Sequence, residues 1–306
     1  MPTRQGSILL FRFAGIDVYI HWAWFLAFFY FPSRPNNFSN YGWSALEILG
    51  LFLIVLTHEF GHALACRSVG GQANLIVLWP LGGVAYVAPP QRPGAQLWSI
   101  AAGPLVNVVL VPILIGIVML ARQLEWDENH PDAFLLLMNI RNINIVILIF
   151  NMLPVYPLDG GQILRSLLWY PLGRANSLMV ASIIGFIGVA GLIGLAFWMQ
   201  SVWMGIMAAF ILMNCWGGLM QARALATAEK TARRAIFTCP GCHASPPTGA
   251  LWRCRRCKNP FDIFATQGLC PHCNAQYNLA QCLDCGALNS LNDWQPNPED
   301  RVRTAE

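Results

Sequence analysis

The residues best suited to chemistry lie at the end of one apolar segment, residues 51–56, and just beyond it. His58 and His62 follow this segment four positions apart, with Glu59 between them. On a helix such a pair lies on one face, one turn apart, so both imidazoles can reach a single metal ion. Zinc is the usual metal, and Glu59 is placed to act as general base toward a water at the metal. Ionisable groups at membrane depth are costly unless they have a function. We therefore expect a metal site rather than a packed histidine pair.

A candidate third ligand lies about a hundred residues further along the chain, because a catalytic zinc typically takes three protein ligands. Asp159 follows Pro154 and Pro157 and precedes two glycines, so a regular helix cannot run through this stretch. Its carboxylate could sit beside a metal, or it could instead cap the helix that begins at residue 161. Just before it, the residues Arg141, Asn144 and Asn151 fall roughly on one helical face. We expect this polar stripe to face the interior of the helix bundle and not the lipid.

The composition indicates a membrane protein. Apolar residues make up 56% of the 306 residues and charged residues only 11%, well below the roughly 25% of soluble domains. The net charge of +4 is too small to argue for nucleic acid as a partner. We expect a polytopic α-helical membrane protein with about six transmembrane helices, in a domain covering residues 1–225. The predicted spans are residues 18–31, 44–66, 95–120, 133–153, 178–199 and 202–220.

Residues 73–87 depart from the helical pattern, because two short β-prone runs flank a Pro-Leu-Gly-Gly turn at residues 80–83. This predicts a membrane-embedded β-hairpin that is buried against helices or lines a wet cavity. Its edge strand could pair with an extended substrate chain. A plain re-entrant loop is the alternative.

The distribution of lysine and arginine predicts the orientation. Almost all of them fall on one side of the predicted spans, and the other side receives only Arg34 and Arg122. By the positive-inside rule both termini are cytoplasmic. We expect an integral protein of the bacterial inner (cell) membrane, with His58 and His62 toward the cytoplasmic end of their helix.

Eight of the ten cysteines lie after the last apolar run, in four Cys-x-x-Cys pairs. The pairs are Cys239 and Cys242, Cys254 and Cys257, Cys270 and Cys273, and Cys282 and Cys285. Disulfides are disfavoured in a reducing cytoplasm, so this pattern indicates structural zinc. We expect two closed Cys₄ sites that pair the cysteines sequentially, although a cross-braced pairing stays open. This predicts a basic juxtamembrane linker at residues 226–235, a double zinc ribbon at 236–290 and a disordered tail at 291–306.

Several motifs in the right order resemble the site-2 proteases, which are intramembrane zinc metalloproteases of peptidase family M50. The HExxH motif is met by His58, Glu59 and His62, and the NxxPxPxLDG motif by Asn151, Pro154, Asp159 and Gly160. Gly103, Pro104 and Asn107 match a further element, and residues 80–83 match the hairpin turn. The resemblance covers residues 15–165 closely and fits the compact branch without a PDZ domain.

The resemblance implies His58, His62 and Asp159 as ligands of one catalytic Zn²⁺, with Glu59 as the base. Two structural Zn²⁺ ions in the ribbons complete the expected cofactors. The resemblance also implies a substrate-binding edge strand, placed at Leu75, Ile76, Val77 and Leu78. Asn107 or Asn151 could hydrogen-bond the substrate backbone or the oxyanion, or could equally tie two helices together.

The expected function is cleavage of a peptide bond in a transmembrane or membrane-associated segment of a substrate protein. The expected partners are a membrane-anchored protein substrate, the lipid bilayer and a cytoplasmic protein that binds the zinc ribbons. The alternative is a non-catalytic membrane receptor or scaffold that keeps the fold and uses the ribbons to hold a partner. An intact Glu59 favours the enzyme, because a scaffold has no need of a base.

Overall fold

The computed structural model describes residues 6–23, 38–79 and 82–294. The chain divides into two compact units, which are described separately here. The first comprises Met1–Gly173 and Ser177–Leu219, and the second comprises Arg174–Asn176 and Met220–Glu306.

Long apolar helices make up most of the first unit. They are α1 (Tyr41–Ser68), α2 (Pro93–Gln123), α4 (Pro131–Asn151), α5 (Asp159–Trp198) and α6 (Val202–Lys230), with a four-residue helix α3 (Trp126–Asn129) after α2. Within the described ranges, five helices are long and apolar enough to cross a membrane. They correspond to the last five of the six predicted spans.

The predicted first span is wrong over its first residues. The chain opens with two antiparallel strands, β1 (Ser7–Phe13) and β2 (Ile16–His21), so Val18 to His21 belong to a strand and not to a helix. Residues Ile16 to Ile20 alternate between buried and half-buried positions, and the buried ones pack against α1. The rest of that predicted span, from residue 24 on, lies outside the described residues.

A four-stranded sheet packs against α1. Its order is β1-β2-β3-β4, where β3 is Gln72–Trp79 and β4 is Gly82–Ala88. Strand β3 runs parallel to β2 and antiparallel to β4, with Ile76 opposite Val18 on one side and opposite Ala85 on the other. One face of the sheet and the inner face of α1 share a buried apolar cluster that includes Ile16, Ile76 and Leu56.

The placement of the predicted edge strand is therefore wrong. Leu75, Ile76, Val77 and Leu78 lie in β3, which pairs with a strand on each side, so they have no free backbone edge. The two antiparallel β-prone runs were identified correctly as a pair of strands, but the sequence gives no sign that β2 adds in parallel beside the first of them. The outer strands of the sheet are β1 and β4.

The connection from α4 to α5 is the non-helical stretch that the two prolines predict. Backbone bonds from Val155 to Leu153 and from Leu158 to Val155 tighten it into successive turns. Helices α5 and α6 hold it in place, because Val155 packs in a buried cluster with Val189, Ile211 and Cys215. Further on, α5 is broken at Gly173, whose φ of 76° and ψ of 177° are accessible only to glycine.

The second unit contains four knuckles with one shared conformation. In each knuckle, the residue after the second cysteine has a positive φ, and its N–H donates to the carbonyl of the first cysteine. These residues are His243, Lys258, Asn274 and Gly286. Two short hairpins complete the unit, formed by β5 (Trp252–Arg253) with β6 (Pro260–Phe261) and by β7 (Leu279–Gln281) with β8 (Leu288–Ser290).

The predicted disordered tail begins too early. A 3₁₀ turn covers Leu291–Asp293, and Trp294 is 3% exposed with its ring against Phe264. These residues therefore belong to the small core of the second unit, and the remainder of the predicted tail lies outside the described residues. At the other end, α6 continues to Lys230, so the first residues of the predicted linker are helical.

Candidate active site and metal centres

Two imidazoles face each other on the inner side of α1. His58 and His62 are 4% and 8% exposed, and their Nε2 atoms lie 3.1 Å apart. The four-residue spacing places them one turn apart, as the sequence predicts. Both Nε2 atoms are therefore directed toward one small volume.

The carboxylate of Asp159 closes this volume from α5. One oxygen lies 3.0 Å from His58 Nε2 and the other lies 3.5 Å from His62 Nε2. Asp159 is the first residue of α5, and the capping position is taken by Leu158, so the alternative role as helix cap is not the one that the structure shows. The three side chains offer ligand atoms that all lie within 4.8 Å of one another.

These distances fit a metal ion of the size of zinc. With bonds of about 2.0 to 2.1 Å, two ligands of a tetrahedral zinc lie about 3.3 to 3.4 Å apart. The separations of 3.0 and 3.5 Å to the two Asp159 oxygens and of 3.1 Å between the Nε2 atoms bracket that value. Two imidazoles and one carboxylate are also a ligand set that catalytic zinc uses, with a fourth position left open.

Helix α2 supports both imidazoles from behind. The Nδ1 of His62 lies 2.9 Å from the carbonyl oxygen of Ser99, and the Nδ1 of His58 lies 2.5 Å from Asn107 Oδ1. A carbonyl oxygen only accepts, so the Nδ1 of His62 carries the proton and its Nε2 offers a lone pair. Such partners behind the ligands fix the ring orientation and tautomer at metal sites.

Gly103 on α2 leaves the room in which the imidazoles meet. A Cβ at this position would lie 2.3 Å from His62 Nε2 and 2.8 Å from His58 Nε2. Both separations are far shorter than any tolerated contact, so only glycine fits. The sequence element Gly-Pro-x-x-Asn thus supplies this gap and, four residues later, the partner of His58.

Glu59 lies between the two ligands in sequence and faces strand β4. It is 6% exposed, and its Oε2 accepts a hydrogen bond of 2.8 Å from the N–H of Ala85. Gly83 allows this approach, since a Cβ there would meet Glu59 Cγ at 2.3 Å. The general-base candidate is therefore held against the outer strand of the sheet.

The predicted substrate-binding residues fall in three different places. Asn107 is fully buried with its side chain between His58 and Asn144, where it has no access to a substrate. Leu75, Ile76, Val77 and Leu78 lie in the interior strand β3. Asn151 is half-buried at the last turn of α4, and its predicted role stays a prediction.

Three features of the site were not identified from the sequence. They are the carbonyl of Ser99 behind His62, the contact of Asn144 with Asn107, and the proximity of β4 to Glu59. The polar stripe on α4 indicated that Asn144 faces inward, but nothing in the sequence paired it with α2. A backbone carbonyl leaves no sequence signal.

The eight ribbon cysteines form two groups of four with nested pairing. One group contains Cys239, Cys242, Cys282 and Cys285, and the other contains Cys254, Cys257, Cys270 and Cys273. The predicted sequential pairing is therefore wrong, and the cross-braced alternative also differs from this arrangement. The first knuckle meets the fourth, and the second meets the third.

The sulfur separations in both groups fit tetrahedral zinc. Between knuckles they are 3.7 and 3.8 Å in the outer group and 3.5 and 3.7 Å in the inner group. With Zn–S bonds of about 2.3 Å, sulfur atoms of a Cys₄ site lie about 3.8 Å apart. All ten cysteines are free thiols.

The inner group has a further polar partner. The Tyr277 hydroxyl accepts from the N–H of Arg255 at 2.8 Å and lies 3.1 Å from Cys254 Sγ, within hydrogen-bond distance of the sulfur. Burial of the Cys254 thiol raises its pKa, but donors that include the Cys257 N–H and the Tyr277 hydroxyl outweigh this effect. The pKa of Cys254 is thereby lowered to about 5. A thiolate is the form that binds zinc.

Comparison with known proteins finds the family that the motifs resemble. The profile of Peptidase family M50 matches residues 46–129 and 114–195. A zinc metalloprotease of Methanocaldococcus jannaschii is 35% identical over 181 residues, which is 58% of this chain and 50% of that protein. Stage IV sporulation protein FB of Bacillus subtilis is 36% identical over 119 residues, 38% of each chain. The chain thus spans half or less of the length of these curated relatives.

The fold has a solved counterpart. The structure of a site-2 protease from Methanocaldococcus jannaschii superimposes with a TM-score of 0.51 at 24% identity, and the match covers 70% of this chain and 95% of that one. The resemblance drawn from the motifs is therefore confirmed at the level of family and membrane fold.

Replacing Gly103 by Ala is expected to remove one metal equivalent from the full-length protein. The added methyl group would occupy the space of both Nε2 atoms and force the imidazoles apart. Gly116→Ala on the same helix is the matched control, because a Cβ there meets no atom within 4 Å. Metal content per chain, measured by plasma mass spectrometry on detergent-purified protein, checks this. Equal content in the two variants would contradict the assigned geometry.

Serine substitution of whole knuckles is expected to reveal the nested pairing. Loss of Cys239 and Cys242 removes one zinc equivalent, and additional loss of Cys282 and Cys285 removes no more, because both knuckles serve one site. Loss of Cys239 and Cys242 together with Cys254 and Cys257 removes two. Zinc counted per chain decides between the arrangements, since sequential pairing requires the opposite pattern.

Proposed function

We propose that this chain, which carries a peptidase family M50 domain over residues 46–195, is an intramembrane zinc metalloprotease. It cuts a peptide bond in a membrane-associated segment of another protein. One observation supports the proposal: His58, His62 and Asp159 lie together within apolar helices, and Glu59 beside them contacts an outer strand of the described sheet.

His58, His62 and Asp159 are the residues that would hold the catalytic ion. When bound, zinc supplies a Lewis acid that lowers the pKa of a bound water and polarises a carbonyl group. The chain supplies the remaining functions. Apolar helices α1, α2 and α4 surround the ligands and limit the access of other water, which strengthens each electrostatic contact inside the site.

Glu59 is the general base in this proposal. Its carboxylate takes a proton from the attacking water and later delivers it to the leaving amine of the cut peptide bond. The hydrogen bond from the Ala85 N–H holds one oxygen, which limits the rotation of the carboxylate. A non-catalytic scaffold would have no reason to bury a carboxylate against a strand, so this contact favours the enzyme over the receptor reading.

Strand β4 is the substrate-binding strand, in place of the interior β3. Because Ala85 donates its N–H to Glu59, that N–H lies on the side of β4 that faces away from β3. Backbone groups alternate along a strand, so the N–H of Val87 also faces the open edge. A substrate that unwinds and adds to this edge would run past Glu59 and the three ligands.

The ribbons are proposed to hold two structural zinc ions. Closed Cys₄ sites leave no open position for chemistry, so this unit is not a second active site. Its aromatic core is small, and the metals would supply much of its folding free energy. We propose that it binds a cytoplasmic protein partner, with both chain termini on the cytoplasmic side of the membrane.

Glu59→Gln is expected to retain all metal and to lose cleavage of a membrane-anchored reporter by about a hundredfold or more, since the amide cannot accept the proton. Glu47→Gln is the matched control, because it makes the same change earlier in α1, about 18 Å from Glu59. Reporter cleavage in proteoliposomes measures the effect. Wild-type turnover by the Glu59 variant would remove the base from the mechanism.

Val87→Pro is expected to fold and to raise the KM for the reporter roughly fivefold, with little change in kcat. Proline is tolerated where the N–H of an edge strand faces outward, but it removes a donor that would bind substrate. The loss of one net hydrogen bond costs about 1 kcal/mol, equivalent to that change. Val87→Ala, which keeps the N–H, serves as control. An unchanged KM in the proline variant would exclude this edge.

A further inference from the structure

We propose that Asn144 on α4 is a positioning residue for the metal site, which acts through Asn107 to fix the tautomer of His58. This inference rests on the proposed function, because it concerns the ion that His58 would bind. Asn144 belongs to none of the motifs that define the resemblance, and it touches neither the ligand atoms nor the open strand.

The direction of each hydrogen bond follows from one group whose chemistry is fixed. The backbone carbonyl of Asn107 can only accept, and it lies 3.1 Å from the Asn144 side chain. The Asn144 atom facing it must therefore be the amide nitrogen Nδ2. The other end of the Asn144 amide, its oxygen, is then directed at the Asn107 side chain.

The directions of the other two hydrogen bonds follow because each donor must face an acceptor. Asn144 Oδ1 accepts, so the Asn107 atom 2.8 Å away must be Nδ2, and Asn107 presents its oxygen to His58. An oxygen at 2.5 Å from His58 Nδ1 requires that Nδ1 carry the proton. The lone pair of the imidazole is then on Nε2, the atom that faces Asp159 and His62.

Without Asn144, nothing would fix which end of the Asn107 side-chain amide faces His58. An asparagine side chain can rotate by half a turn and exchange its oxygen and nitrogen at little cost in shape. A rotated Asn107 would direct a donor at His58 and favour the tautomer with the proton on Nε2, which cannot bind metal. Both asparagines are fully buried, so water does not compete for these bonds.

The two histidines differ in this respect. His62 Nδ1 faces the backbone carbonyl of Ser99, which needs no further residue to set its polarity. Only His58 depends on a side chain that can rotate. This difference accounts for a buried asparagine on α4 opposite α2, and it gives α4 a part in the metal site although it supplies no ligand.

The decisive variant is Asn144→Leu in the full-length protein, because leucine removes both bonds at similar volume. Asn144→Asp keeps an oxygen that accepts from Asn107 Nδ2, so it should keep the orientation of Asn107 although it loses the donor that faces the Asn107 carbonyl. Asn144→Ser keeps a group that can donate and accept. Asn142→Leu, at an exposed position of the same helix, is the matched control.

The readout is zinc retained per chain during dialysis against EDTA, with thermal unfolding measured in parallel. We expect the affinity for the catalytic zinc to fall about 10- to 100-fold in the Leu variant. The Asp and Ser variants should retain more zinc than the Leu variant, and the Asn142 variant should match wild type. ¹⁵N NMR of labelled histidine should show the His58 proton on Nδ1 in wild type and in the Asp variant, and a mixture of the two neutral tautomers in the Leu variant.

Two results would overturn the proposal. One is a Leu variant that keeps wild-type retention of the catalytic zinc. The other is an order of retention that follows thermal stability alone, as expected if Asn144 only joins two helices. The double variant His58→Ala, His62→Ala tests the metal site itself, because it should bind one zinc equivalent fewer than wild type. If it does not, the proposed metal site fails, and not only the role of Asn144.

Discussion

The convergence of two imidazoles and one carboxylate within an apolar helix bundle is the constraint on which the rest of the structure depends. Burial of such groups is unfavourable unless each polar atom has a partner. Here each one has: Nδ1 of each histidine faces α2, and the three remaining ligand atoms face one another. A cation between these three ligand atoms would stabilise their close approach. The surrounding fold leaves space for it.

Each surrounding element contributes one feature to this constraint. Helix α1 supplies the two histidines and Glu59, and α2 supplies a gap at Gly103 and two acceptors. The turn before α5 brings Asp159 to the same point, and α5 and α6 hold that turn through Val155. The sheet contributes β4, whose Ala85 N–H bonds to Glu59.

Much of this could be predicted from the sequence, since local spacing and motif chemistry carry the information. Helical periodicity places His58 and His62 on one face of α1, and the prolines and glycines around Asp159 predict a break in the helix. What could not be predicted depends on contacts between distant segments. Strand β2 inserts beside β3 in parallel, which moves the free edge from Leu75–Leu78 to β4, and no residue pattern in β3 distinguishes an edge from an interior strand when both faces are apolar.

The ribbon illustrates the same limit. Four equal knuckles predict two zinc sites, but their spacing does not indicate which knuckles meet. The first knuckle meets the fourth and the second meets the third, a pairing that depends on the path of the chain between the knuckles and not on the cysteines themselves.

The most direct test of the central claim is an anomalous scattering map at the zinc edge from crystals of the full-length protein. Three peaks are expected, two of them within the cysteine groups and one among the apolar helices. The third should lie about 2.0 to 2.2 Å from His58 Nε2, His62 Nε2 and a carboxylate oxygen of Asp159. Two peaks only, both in the ribbon, would contradict the account.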